Sequence, residues 1–189
     1  MTRMNDRQVK PASARVGRIG LKLQDVNQLF NSMDPAPFPE KDLDDDAENF
    51  IVSWAREFPR RLPLLLVVHL PQKFAAEDPT PMIAAAVQNF FRYKMRLARR
   101  ELRQLLRTGQ TSLFVGLTFL TLCLLGGELL ARLYTGDWTL VLREGLTIAG
   151  WVAMWRPMQI YLYDWWPLQR NIRVYRKLSQ MPVQIRWRA

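Results

Sequence analysis

Residues 111–131 read TSLFVGLTFLTLCLLGGELLA, and this stretch decides the fold. It holds 21 residues and one charge, Glu128. As a helix it would be roughly 31 Å long at 1.5 Å per residue, which matches the hydrocarbon thickness of a bilayer. Core helices of soluble proteins are rarely apolar for so long. The stretch therefore predicts a transmembrane helix over residues 109–134.

Charge is arranged around it. The net charge is +10, but residues 1–91 carry 11 basic and 12 acidic side chains and residues 108–166 carry 3 and 4. The excess sits in residues 92–107, with 7 basic and 1 acidic, and in residues 167–189, with 6 basic and none acidic. Two short basic blocks flanking an apolar segment suit a membrane surface better than nucleic acid, which needs cations across a folded face. No nucleic-acid partner is expected.

The positive-inside rule places both blocks in the cytoplasm. Both can be there only if the chain crosses twice, so a second span is predicted over residues 138–166. Arg143, Glu144, Arg156 and Asp164 interrupt it, leaving residues 145–155 as its clean apolar core. Tyr134 and Trp138 would mark the outer interface, and Trp155, Tyr161, Tyr163, Trp165 and Trp166 the inner one. Both chain ends then lie inside.

Charges at bilayer depth cost about 2.5–3.5 kcal/mol each at the centre on insertion scales. Two readings stay open for them. A Glu128–Arg143 or Glu144–Arg132 pair pins the hairpin, or Glu128 or Glu144 faces a pore in an oligomer and attracts cations. Arg156 either snorkels to phosphates or pairs with Asp164 or a neighbouring subunit. Pro157 removes a helix hydrogen bond beside it and predicts a kink. Gly116, Gly126 and Gly127 allow close helix approach. Cys123 reads as a small packing residue.

Upstream, residues 1–17 are polar and basic and read as a flexible arm, with no apolar core that could serve as a signal peptide. Residues 18–79 read as a cytoplasmic βαβ domain. Ile19, Leu21 and Leu23 alternate with polar neighbours, as in a half-buried strand. The loop at residues 29–39, LFNSMDPAPFP, excludes regular structure by its prolines. A helix follows, with Asp45 and Glu48 at capping-box spacing and Phe50, Ile51, Trp54 and Phe58 along one face. Residues 64–70 form a buried strand. Two strands cannot cover themselves, so a following helix or another subunit must.

Thr80 and Pro81 open a long amphipathic helix over residues 80–108, as N-cap and first turn. Its apolar stripe is Phe91, Met95, Ala98, Leu102 and Leu105. Arg92, Arg96, Arg99, Arg103 and Arg107 run beside it. These arginines are either a solvated face near headgroups or a surface holding an anionic partner. Residues 167–189, with Arg170 and Arg173, read as a basic cytoplasmic tail.

No metal site, cofactor or catalytic residue is expected. His69 is the single histidine and stands far from Cys123. The run Asp42, Asp44, Asp45, Asp46 lacks the glycine and terminal glutamate of a calcium loop. No phosphate loop or nucleophile motif occurs, so an enzyme is not expected.

Two blocks carry a resemblance. LFNSMDPAPF with DDDAENFIVSWAREFP and LLLVVHLP, and REGLTIAGWVAMWRPMQIYLYDWWPLQR further on, resemble an uncharacterised family of two-span bacterial inner-membrane proteins. The resemblance implies location in that membrane and this architecture, and no mechanism. A looser likeness links the long helix, short loop and Glu144 to the pore subunit of the mitochondrial calcium uniporter, although the Asp-Ile-Met-Glu signature is absent.

The expected fold is thus an α+β membrane protein: a cytoplasmic βαβ unit, a long amphipathic helix and a two-helix transmembrane hairpin. The expected role is a homo-oligomeric scaffold. An oligomeric cation channel with Glu144 or Glu128 at its outer mouth is one alternative. A membrane-anchored adaptor docking a soluble cytoplasmic protein through residues 31–39 is another.

Overall fold

Alternating burial along Gly17–Lys22 defines β1: Gly17, Ile19 and Leu21 are buried while Arg18, Gly20 and Lys22 are exposed. The structure is a computed structural model and describes residues 16–37, 40–59, 61–71, 78–134 and 136–188. The predicted arm lies outside these residues except for Val16 and Gly17, and Gly17 already belongs to β1. The chain divides into two units, residues 1–91 with 177–189, and residues 92–176.

In the first unit, β1 is followed by a 3-10 turn (Val26–Leu29), helix α1 (Asp45–Glu57) and strand β2 (Leu64–Pro71). The expected βαβ unit is present. A third strand, β3 (Val183–Arg188), joins it, giving a fully parallel sheet in the order β1-β2-β3. The sequence predicts a basic tail here; the structure folds its last residues against β2, with Leu66 opposite Val183 and Val68 opposite Ile185. Val183, Ile185 and Trp187 alternate with Gln184, Arg186 and Arg188, the period-two pattern of a half-buried strand.

One face of the sheet carries Ile19, Leu66, Val68 and Leu70, all fully buried. Helix α1 lies over this face. A Cβ at Gly17 would stand 2.9 Å from Leu64 Cδ2 and 3.0 Å from Phe58 Cδ1, so a larger residue here would have to displace the side chains at the end of the helix. The buried face of α1 is Ile51, Val52 and Ala55. The predicted face is split: Ile51 is fully buried, whereas Phe50 and Trp54 are exposed, and their rings and that of half-buried Phe58 follow one another at 6.0 and 6.4 Å. Small and β-branched side chains let α1 approach the sheet, and the large rings go to its outer flank. The N-cap is Asp44, accepting from the Asp46 N–H at 3.0 Å, one residue before the predicted Asp45.

Helix α2 (Thr80–Leu133) contributes its first turns to this unit, with Ile83, Ala86, Val87 and Phe91 fully buried. Its first turn is closed by Asp78, whose Oδ1 accepts from the Thr80 N–H at 3.0 Å, so Thr80 begins the helix and does not cap it. Two crossovers that each step the same way across a parallel sheet share one face when both are right-handed. That rule puts α1 and α2 on the same side.

Asp34 forms a carboxylate clasp with the backbone of Ala36 and Asp42. Asp34 Oδ2 accepts from the Asp42 N–H at 2.7 Å and Oδ1 from the Ala36 N–H at 2.9 Å. These two backbone donors, Asp42 first, hold the Asp34 carboxyl below its ordinary value. A depressed folded-state value means that the clasp contributes stability above the unfolded value of about 3.9 and loses it as pH falls through the folded one. Hydrogen-exchange protection of the Ala36 and Asp42 amides should fall as pH drops through that depressed value. In Asp34→Asn it should be low at every pH; unchanged protection in that variant would refute the clasp. Pro39, in the predicted docking loop, lies outside the described residues.

Candidate membrane-inserting surface and its charged positions

The second unit holds the remainder of α2, then α3 (Asp137–Ala153), α4 (Trp155–Gln159), a π-helical segment (Ile160–Asp164) and most of α5 (Trp165–Leu178). Along α2, Gly109, Leu113, Gly116, Leu120, Cys123, Gly127 and Leu130 form a buried or half-buried row spaced four and three apart. This is a heptad seam with small residues at its closest points.

The glycines show what the seam meets. A Cβ at Gly109 would lie 2.9 Å from Ile160 Cγ2, at Gly116 3.1 Å from the Ala153 carbonyl oxygen, at Gly127 3.2 Å from Arg143 Cγ, and at Gly150 2.7 Å from Leu120 Cδ1. Contact positions fall along α2 as they rise along α3 and beyond, so the two stretches run antiparallel. Cys123 is buried in this contact, facing Gly150. Gly126, predicted to share it, has nothing within 4 Å.

Gly150→Leu should therefore push the stretches apart. Its Cβ would also stand 3.3 Å from the Leu120 Cα, and backbone does not yield as a side-chain tip does. The expected cost is about 1–3 kcal/mol, read as a lower thermal midpoint in detergent. Gly126→Ala is the matched control and should hold or raise the midpoint, because alanine favours helix. Equal midpoints for Gly150→Leu and the parent would refute the close contact.

The charged side chains of this unit between Glu128 and Asp164 divide into two groups. Glu128 binds both Arg132, at 3.3 Å, and Arg143, at 3.7 Å. The expected Glu128–Arg143 pair is thus present, whereas Arg132 goes to Glu128 and not to Glu144. Glu144 lines an open groove with Leu140, Arg143, Thr147 and Ile148.

The second group surrounds the break after α3. Pro157 has no N–H, so the Ala153 carbonyl loses its helical donor, and Gly116 stands against that oxygen. Helix resumes as α4 and then widens into the π segment, a feature frequent at functional sites. Arg156 Nη1 reaches Asp164 Oδ2 and Gln159 Oε1, each at 3.3 Å. Of the readings for Arg156, the pair with Asp164 is the one formed. The indole of Trp165 donates to the Tyr161 carbonyl at 2.9 Å.

Arg92, Arg96, Arg99, Arg103 and Arg107 are exposed on α2, while Phe91, Met95, Ala98, Leu102 and Leu105 are buried or half-buried. Arg100 and Gln104, absent from the predicted basic row, join Arg103 and Arg107 around an open groove. Their spacing of three, four and seven is the signal that marks them. Arg170 and Arg173 are exposed on α5.

Most of the second unit's apolar surface is uncovered. Phe114, Val115, Leu122, Leu125 and Leu129 on α2 are exposed, as are Val141, Ile148, Trp151 and Val152 on α3; Phe114 reaches 74% and Val141 72%. By length and composition α2 can cross a membrane; its most apolar window has a mean hydropathy of 2.0 and is 17% buried. Among the described residues no group of His, Cys, Asp and Glu could hold a metal ion. No protein family, curated protein or solved structure matches the chain.

Proposed function

We propose that the chain is an integral inner-membrane protein, inserted as a two-helix hairpin with both ends in the cytoplasm, that serves as a homo-oligomeric scaffold. The observation that carries the reading is the uncovered apolar surface of the second unit. Monomeric soluble proteins rarely expose contiguous apolar patches beyond a few hundred Å². A core helix would be mostly buried, and the window in α2 is not.

The first crossing is the apolar half of α2. The second runs through α3, α4 and the π segment in series, since no single one of these is long enough. Glu128 with its two arginines supports insertion, because paired charges are cheaper to desolvate than lone ones. The exposed arginines of α2 and α5 match anionic headgroups on the cytoplasmic side.

Alkaline extraction of membranes is the test. The protein should stay in the pellet and need detergent for release, and reporters fused at each end should both report the cytoplasm. A freely soluble chain, or reporters on opposite sides, would defeat the proposal.

A second reading is a cation channel, favoured by one observation: Glu144 lines an open groove while Glu128 is committed to arginines. Liposomes holding the protein should then pass cations, with selectivity altered in Glu144→Gln. Absence of flux at every voltage and pH would remove this reading.

A further inference from the structure

The sheet has a second face. In register across the strands it carries Arg18, Gly20 and Lys22 from β1, Leu65, Val67, His69 and Pro71 from β2, and Gln184, Arg186 and Arg188 from β3. All the residues from β1 and β3 are exposed, and a Cβ at Gly20 would meet nothing within 4 Å. Parallel sheets are almost always covered on both faces. Among the described residues this one has helices on one side; on the other, half-buried Leu65 and buried Val67 lie among four exposed cations.

The same unit displays the opposite pattern elsewhere. The outer ridge of α1 runs Asp46, Phe50, Trp54, Glu57: two exposed rings with an exposed carboxylate at each end. It lies on the far side of the sheet from the cationic face, so the two cannot meet within one copy. Between copies they fit. The rings would lie over half-buried Leu65 and the open space at Gly20, and the carboxylates would reach the rim arginines, which also suit aromatic faces.

We infer that the α1 ridge of a second copy docks on the open sheet face and supplies its missing helical layer, joining copies head to tail. Face-to-face pairing is excluded by charge, as it would set four cations against four. Head-to-tail contacts close into a ring or continue as a chain. This inference deepens the scaffold reading and rests on its homo-oligomer.

The experiment is disulfide trapping on the full chain in detergent, with Cys123→Ser as background. Gly20→Cys has open space for the new side chain, and Trp54→Cys lies on the exposed ridge. Mixed chains, one carrying each substitution, should cross-link on mild oxidation, while chains carrying Gly20→Cys alone should not. Adding Arg18→Glu and Arg186→Glu to the Gly20→Cys chain should cut trapping at least tenfold. Adding Asp46→Lys and Glu57→Lys to its Trp54→Cys partner should restore it.

No cross-link in the mixture, or no rescue by the second reversal, would overturn the inference. So would protection of the introduced cysteine of the Gly20→Cys chain by anionic vesicles or RNA without any cross-link, which would assign the face to a lipid or nucleic-acid partner. Membrane insertion is read separately by alkaline extraction. The trapping result therefore stands whether or not the hairpin is membrane-embedded.

Discussion

Removing residues 182–189 is expected to unfold the first unit. These residues hold β3, and with it go the ladder to β2 and the bond from the Leu66 N–H to the Pro182 carbonyl at 3.0 Å. Each such bond contributes about 0.5–1.5 kcal/mol net. Val183 and Ile185 also leave Leu66 and Val68, both fully buried, at a new sheet edge. A two-stranded sheet is marginal in water, and a domain has only about 5–15 kcal/mol in total. The loss should consume most of that margin. Limited proteolysis would show it as rapid cleavage within residues 16–71 with the second unit left protected. A truncated protein as resistant as the parent would mean that β3 is dispensable and that the terminal residues act only as a charged tail.

The second large effect is Phe91→Ala. Phe91 is fully buried within the first unit, and its ring meets Phe90 edge-on at 5.3 Å. Truncating a buried phenylalanine costs about 3–5 kcal/mol, from lost transfer energy and the cavity left behind. For a unit of this size each kcal/mol shifts the midpoint by about 4–8 °C, so the first transition should fall by more than about 10 °C. Phe114→Ala is the contrast: Phe114 is 74% exposed, and its loss should leave that transition in place. A small shift for Phe91→Ala would mean that the site collapses around the gap, or that α2 is not anchored there.

Several parts of the fold were legible in the sequence. β1 and β2 announce themselves by alternation and by a proline-bounded apolar run. The strong positions of α1 and α2 follow helical spacing. The Glu128–Arg143 and Arg156–Asp164 pairs were among the options that charge and spacing left open. The β3 alternation of Val183, Ile185 and Trp187 was equally present, but Arg186 and Arg188 between them made the segment look like a tail. The heptad of small residues from Gly109 to Gly127 was likewise readable: Gly116 and Gly127 were named from it, and only Gly126, named with them, faces open space.

Other features were not legible. Phe50, Trp54 and Phe58 repeat as convincingly as Ile51, Val52 and Ala55, and hydrophobicity favours the rings. The choice between them depends on how closely α1 must approach β1, which is fixed by Gly17 against Phe58. Nor does sequence say which of Arg132, Arg143 and Glu144 shares Glu128, because that depends on the stagger of the two stretches.

The sequence by itself determined the periodicities, the long apolar helix and the segregation of charge into blocks, because these depend on neighbours three to eight residues away. Long-range packing set the rest: β3 joins the sheet, α1 turns Phe50 and Trp54 outward, and the sheet keeps an exposed cationic rim among the described residues. Those outcomes depend on residues far apart in the chain, such as Gly17 with Phe58 and Leu66 with Val183, meeting in one register, and no local pattern encodes that meeting.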